Sequence, residues 1–220
     1  MIRSSVMNAL AYDLQEISAS VMRMLSLVKE ENQLAQKALI EADVIAAERC
    51  VHLDEQVDAL MTELEQRILT VIARRQPAAK DLRFLGAIYR ALADIERAGD
   101  YASHVAKAGA SLADEPPLKK YTDMNHIMQI LTTMIEMTIH ALADSSVEKA
   151  KDAHKMDKQI DDLYEQIQRE LLTYMMEQPG TISIATRLLA VARNLERFGD
   201  HLENVNEHII FWLTNERYEG

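Results

Sequence analysis

The sequence predicts an all-α protein built as two tandem three-helix bundles related by internal duplication. Three observations carry this: apolar residues at helical spacing in six segments, few turn-forming residues, and acidic motifs that recur in register. In 220 residues there are only 6 glycines and 4 prolines, too few for the many turns of an all-β chain. Strong helix formers recur throughout, and 48% hydrophobic content is ample for a core.

Six segments step by three or four along one face. The first runs through Val6, Leu10, Leu14, Ile17, Val21, Leu25 and Val28. The second includes Val44, Val51, Val57, Leu64, Ile68 and Val71, and stops near Gln76-Pro77. The third runs from Leu82 through Ile88 and Ile95 to Val105. It ends before Asp114-Glu115-Pro116-Pro117, where a proline pair cannot continue a helix. A fourth carries Ile127, Leu131, Met134 and Leu142. A fifth, marked by Val147, Ile160, Ile167 and Leu171, ends at Gln178-Pro179-Gly180. The sixth follows Thr181, a candidate N-cap, and reaches Leu213. The proline-rich linker divides the chain into residues 1–114 and 115–220.

The two halves also agree in letters. Ile95-Glu96-Arg97-Ala98-Gly99-Asp100 matches Leu195-Glu196-Arg197-Phe198-Gly199-Asp200, and Asp54-Glu55-Gln56-Val57-Asp58 matches Asp157-Lys158-Gln159-Ile160-Asp161. Two matches in register argue for duplication.

Each motif places two carboxylates four residues apart, one turn apart on one helix face. The pairs are Asp54 with Asp58, Glu96 with Asp100, Asp157 with Asp161, and Glu196 with Asp200. Like charges so placed cost about 0.2–0.5 kcal/mol per pair, and a hard cation bridging the oxygens offsets that cost. Gly99 and Gly199 each omit a side chain in the same turn, so a helix or ligand can approach closely. The bland alternative is a solvated acidic face in a chain with 35 Asp and Glu. For Arg97 and Arg197 it is an ordinary ion pair.

Other classes find little support. The net charge of −11 and the lack of a basic stripe argue against nucleic acid. Apolar runs fall short of a membrane span, and Met1-Ile2-Arg3-Ser4-Ser5 lacks a signal-peptide core. The single Cys50 reads as a small residue at a helix contact and suits a reducing cytoplasm. None of the seven histidines is paired at ligand spacing. His104 and His201 lie near the acidic motifs but read as surface or capping residues. No nucleophile or phosphate-loop motif is present, so no catalytic residue is assigned.

Arg75-Gln76-Pro77-Ala78-Ala79-Lys80-Asp81-Leu82-Arg83, followed by the first E-R-x-G-D and later by the second with Asn204-Val205-Asn206-Glu207, resembles the PhoU family. That resemblance covers nearly the whole chain. It implies a cytoplasmic negative regulator of the phosphate-starvation response and of phosphate uptake. The expected partners are the phosphate ABC transporter ATPase and a membrane sensor histidine kinase, with a homodimer as the expected assembly and neither nucleic acid binding nor membrane insertion. It also implies iron or zinc, with manganese or magnesium as alternatives, held by Asp54, Asp58, Glu96 and Asp100 in one repeat and by Asp157, Asp161, Glu196 and Asp200 in the other. The first repeat departs from the family in carrying His104 where Asn is usual, and in the second Lys155 and Lys158 are expected to weaken a cation site. Two other readings remain: a carboxylate-bridged di-metal oxidase, for which Asp123-Met124-Asn125-His126 is a poor E-x-x-H, and a metal-free helical scaffold.

Overall fold

A computed structural model describes residues 2–218, with side chains from residue 9 onward; the side chain of Val6, in the first apolar stripe, lies outside what is described. The first bundle is α1 (Ile2–Ile40), α2 (Val44–Arg75) and α3 (Ala79–Leu112). The second is α4 (Thr122–Asp144), α5 (Val147–Lys155) with α6 (Asp157–Glu177), and α7 (Ile182–Thr214). No strand occurs among the described residues, and no helix is long and apolar enough to cross a membrane.

Polar residues set the helix ends. Asp43 caps α2 by accepting from Ala46 N (3.0 Å), and Gln76 ends that helix in the left-handed region before Pro77. Ser146 accepts from Lys149 N at the start of α5, and Asn215 closes α7 with φ 63°. Two sequence readings need correction here. The fifth segment is not one helix: it breaks at Met156, where Met156 N donates to Ala153 O and Gln159 N to Met156 O in tight i→i+3 bonds. Thr181 makes no side-chain cap; it sits in the short 3₁₀ turn Pro179–Thr181 and its hydroxyl donates back to Gln178 O and Tyr174 O.

The apolar faces close on one core that runs through both bundles, from Ile17, Leu25, Leu64 and Ile95 to Ile127, Leu131, Ile167 and Phe198. Cys50 is buried in it, its thiol against Glu31 O at 3.4 Å. Equivalent helices of the two repeats pack on each other, α3 along α7 and α1 against α4. Buried amides cross these seams. Asn32 of α1 donates to Met128 O and to the Thr132 hydroxyl on α4. Within the second bundle, Asn206 of α7 donates to Thr138 of α4. Arg75 of the R-Q-P motif pairs with Asp13 (2.8 Å), and Arg83 donates to Trp212 O and Asn215 Oδ1 on α7.

Candidate functional site

The four i,i+4 carboxylate pairs lie where α2 faces α3 and where α6 faces α7. In the second repeat, Asp157, Asp161 and Asp200 each offer an oxygen within 4.8 Å of the others. They are the one group of three or more potential ligands that converges so closely among the described residues. Asp157 is 5% exposed, and its Oδ1 has no hydrogen-bond partner. Burial, then the charges of Glu203, Asp161, Asp200 and Glu196, push its carboxyl up to about 8. Burial also raises Asp161, Glu196 and Asp200, and each feels at least one neighbouring carboxylate.

The first repeat is arranged differently. Asp54, Asp58 and Glu96 are raised by burial and by mutual repulsion that includes Asp100, but these four do not gather as tightly as the second set. The centre of their field is a residue that the motifs do not contain. Glu31 of α1 is fully buried, and neither of its carboxylate oxygens has a partner. Burial, then Asp54, Asp58 and Asp100, push its carboxyl up to about 9.

The two glycines explain how these acids fit. A Cβ on Gly99 would lie 2.7 Å from Glu31 Oε2, and a Cβ on Gly199 would collide with Asp157 Oδ1. Each glycine therefore opens a notch that a carboxylate enters, from α1 in one repeat and from α6 in the other. A carboxylate left buried without a donor costs several kcal/mol unless it is protonated or meets a cation.

Neighbouring charges clarify the other motif residues. Arg97 pairs with Asp100 (3.0 Å) and reaches Glu96 (3.7 Å) from an exposed position. Arg197 instead donates to the Tyr101 hydroxyl on α3. Lys155 and Lys158, expected to weaken the second site, turn outward to Asp152 and Asp162. Asn204 and His201, with His208, grip Asp94 of α3: Asp94 accepts from His201 Nδ1 (2.9 Å), Asn204 Nδ2 (3.2 Å) and His208 Nε2 (3.2 Å). Burial opposes ionisation of Asp94, but these bonds outweigh it and hold the carboxyl well below the usual range.

The PhoU domain family matches residues 21–109 and again residues 124–209, one copy over each bundle. Over 211 residues the chain is 44% identical to a phosphate-specific transport system accessory protein PhoU homolog of Deinococcus radiodurans, covering 95% of this chain and 98% of that protein. A protein of the same description from Aquifex aeolicus is 38% identical over 185 residues, covering 84% of each. Among solved structures, PhoU from Pseudomonas aeruginosa superposes with a TM-score of 0.90 at 32% identity, covering 94% of this chain and 99% of that one. The phosphate transport system regulatory protein PhoU from Streptococcus pneumoniae gives 0.89 at 26%, covering 96% and 99%. Matched twice by one domain, in the register of its own internal repeat, the chain belongs to the PhoU family.

Proposed function

We propose that this chain is the accessory regulator of a phosphate-specific transport system, acting in the cytoplasm to hold the phosphate-starvation response off when phosphate is plentiful. The observation that carries the reading is the double PhoU-domain match laid over the two bundles, joined to relatives named as accessory proteins of that system. It works through protein contacts, with the transporter ATPase and a sensor histidine kinase as partners, as a homodimer whose repeats divide at 1–114 and 115–220. Deleting the protein derepresses phosphate-starvation genes in high phosphate. Unchanged repression in a strain with no second copy would defeat the assignment.

Cations belong to the same proposal. Asp157, Asp161, Glu196 and Asp200 hold one site; Asp54, Asp58, Glu96 and Asp100, joined by Glu31, hold the other. The fit rests on the orphaned oxygens of Asp157 and Glu31, buried acceptors with nothing to accept from. A bound Fe, Zn, Mn or Mg ion would supply that positive charge and tie neighbouring helices together. Pull-down from phosphate-replete cells, with metal analysis of the same sample, tests partners and metal together.

A further inference from the structure

Between α3 and the C-terminal end of α7 lies an open pocket of about 550 Å³, lined by Arg90, Glu207, His208, Phe211, Arg217 and Tyr218. Pockets of this size hold small ligands, and this lining is cationic in a chain of net charge −11. Elsewhere Arg75, Arg97 and Arg187 each hold a carboxylate. Arg90 and Arg217 are exposed, and among the described residues neither has a carboxylate within ion-pair reach. His208 is steadied by Asp94, to which its Nε2 donates (3.2 Å). A further cation stands close by, since Lys151 Nζ lies 5.1 Å from the centre of the Tyr218 ring.

We propose that this pocket binds a phosphate group, with Arg90 and Arg217 gripping its oxygens from two different elements. A guanidinium presents a planar fork of N–H donors that matches phosphate, and such charge-assisted bonds are the strong ones. A carboxylate ligand has two oxygens, enough for one fork. Inorganic phosphate has four, enough for both arginines at once. Glu207, the one acid on the pocket wall, supplies discrimination. Its Oε1 faces His154 Nε2 at 3.5 Å, a nitrogen that also meets Glu203 at 3.3 Å. A carboxylate repels a bare anion but accepts the proton that hydrogen phosphate carries and sulfate lacks. The proposal deepens the regulator reading, on which the choice of phosphate among tetrahedral anions rests.

The duplication supplies an internal control. In the register that pairs Glu96 with Glu196, Arg90 corresponds to Ala190, His208 to Ala108 and Phe211 to Ser111. On that other side Arg187 is already neutralised, donating to Glu115 and to Ser111 O and Oγ (2.7 and 2.9 Å). The fold shared by the two repeats therefore does not require the open arginines, and the pocket belongs to one side of the seam.

The test titrates inorganic phosphate into the intact chain while following the Arg90 and Arg217 Nε–H resonances by ¹H–¹⁵N NMR. A chelator is present, so that no cation in the carboxylate clusters carries the anion. Both resonances should shift and saturate. Arg90→Ala and Arg217→Ala should each weaken Kd by about tenfold or more, as for a lost charge-assisted hydrogen bond. Both side chains are exposed, so alanine leaves the core intact, and Arg74→Ala, outside this pocket, should bind as the parent does. Sulfate should bind more weakly than phosphate, and Glu207→Gln should narrow that gap. AMP titrated in parallel separates the two sources of the group: the tighter ligand shows whether it is free phosphate or a monoester. Resonances indifferent to both, sulfate binding as tightly as phosphate, or undiminished affinity in the arginine variants would overturn the proposal. The measurement needs no partner protein, so its failure leaves the deletion test standing, and a deletion without phenotype leaves measured phosphate binding in place.

Discussion

Tyr101 and His201, which hold the same position in the two E-R-x-G-D helices, stack on each other across the α3–α7 seam. Their ring centroids are 5.6 Å apart and their planes 20° from parallel. The local axis relating the repeats therefore passes close to this pair. The acidic clusters lie on either side of it, each with its own glycine notch and its own buried acid.

Cation binding to the folded state alone should raise the melting temperature. At a hundredfold excess over Kd the gain is about 2.7 kcal/mol, or roughly 5–10 °C for a chain of this size. Calorimetry with Fe, Zn or Mn should show that rise, and Asp100→Ala or Asp200→Ala should remove part of it. Without metal, Asp200→Ala should be no less stable than the parent, because it relieves repulsion. Identical metal-induced shifts in parent and variants would show that these carboxylates are not ligands.

Metal-free stability should fall as pH rises. The Glu31 carboxyl sits at about 9 in the fold against an ordinary 4.5, and that of Asp157 at about 8 against 3.8. Folded pKa values above unfolded ones mean that the folded state holds the protons more tightly. Their stabilisation is complete below about pH 4 and is lost progressively up to pH 8–9. Glu31→Gln keeps the shape and cannot ionise, so it should flatten that slope. Urea unfolding at pH 8 should show it about 1–3 kcal/mol more stable than the metal-free parent. Parallel pH profiles for parent and variant would contradict the buried-acid account.

Gly199→Ala separates packing from ligation. Alanine favours the helix by roughly 0.5–1 kcal/mol, which offsets part of the collision with Asp157, so metal-free stability should change little. The Asp157 carboxylate must nevertheless leave its notch, and the melting-temperature gain from Zn²⁺ should shrink or vanish. An undiminished gain would remove Asp157 from the site.

Asp94→Asn tests the seam between the repeats. It removes the charge held by His201 and His208, and buried hydrogen bonds to a charged group contribute about 1.5–3 kcal/mol. A loss of that order in denaturant unfolding is expected, with metal-induced stabilisation intact. Loss of metal stabilisation as well would mean that the seam shapes the site.

Helices, halves and paired acids were legible because they repeat at fixed spacing: Asp54 with Asp58 and Glu96 with Asp100 declare a shared face by their numbers alone. Glu31 was not, because Lys29-Glu30-Glu31-Asn32 reads as a solvated stretch. A signal existed all the same: Glu31 continues the stripe of Val21, Leu25 and Val28 toward Ala35 and Ala38, all buried. His154 looked unpaired because its partners lie on another helix, 49 and 53 residues away. The grip of His201 on Asp94 spans 107 residues, a contact that no local pattern announces. The break at Met156 left no mark in the apolar period, since α5 and α6 keep the same buried face.

The loop from Ala113 to Tyr121 joins the two bundles covalently, and that has an evolutionary consequence. Were each repeat a separate subunit, every substitution at the axis would meet its own copy, and Tyr101 would have to tolerate another Tyr101. The tether holds the halves together at high effective concentration and lets one side change while the other stays fixed. Tyrosine can then face histidine, Ala106 can correspond to Asn206, and Lys107 to Glu207. Fusion frees the twin surfaces to specialise one residue at a time.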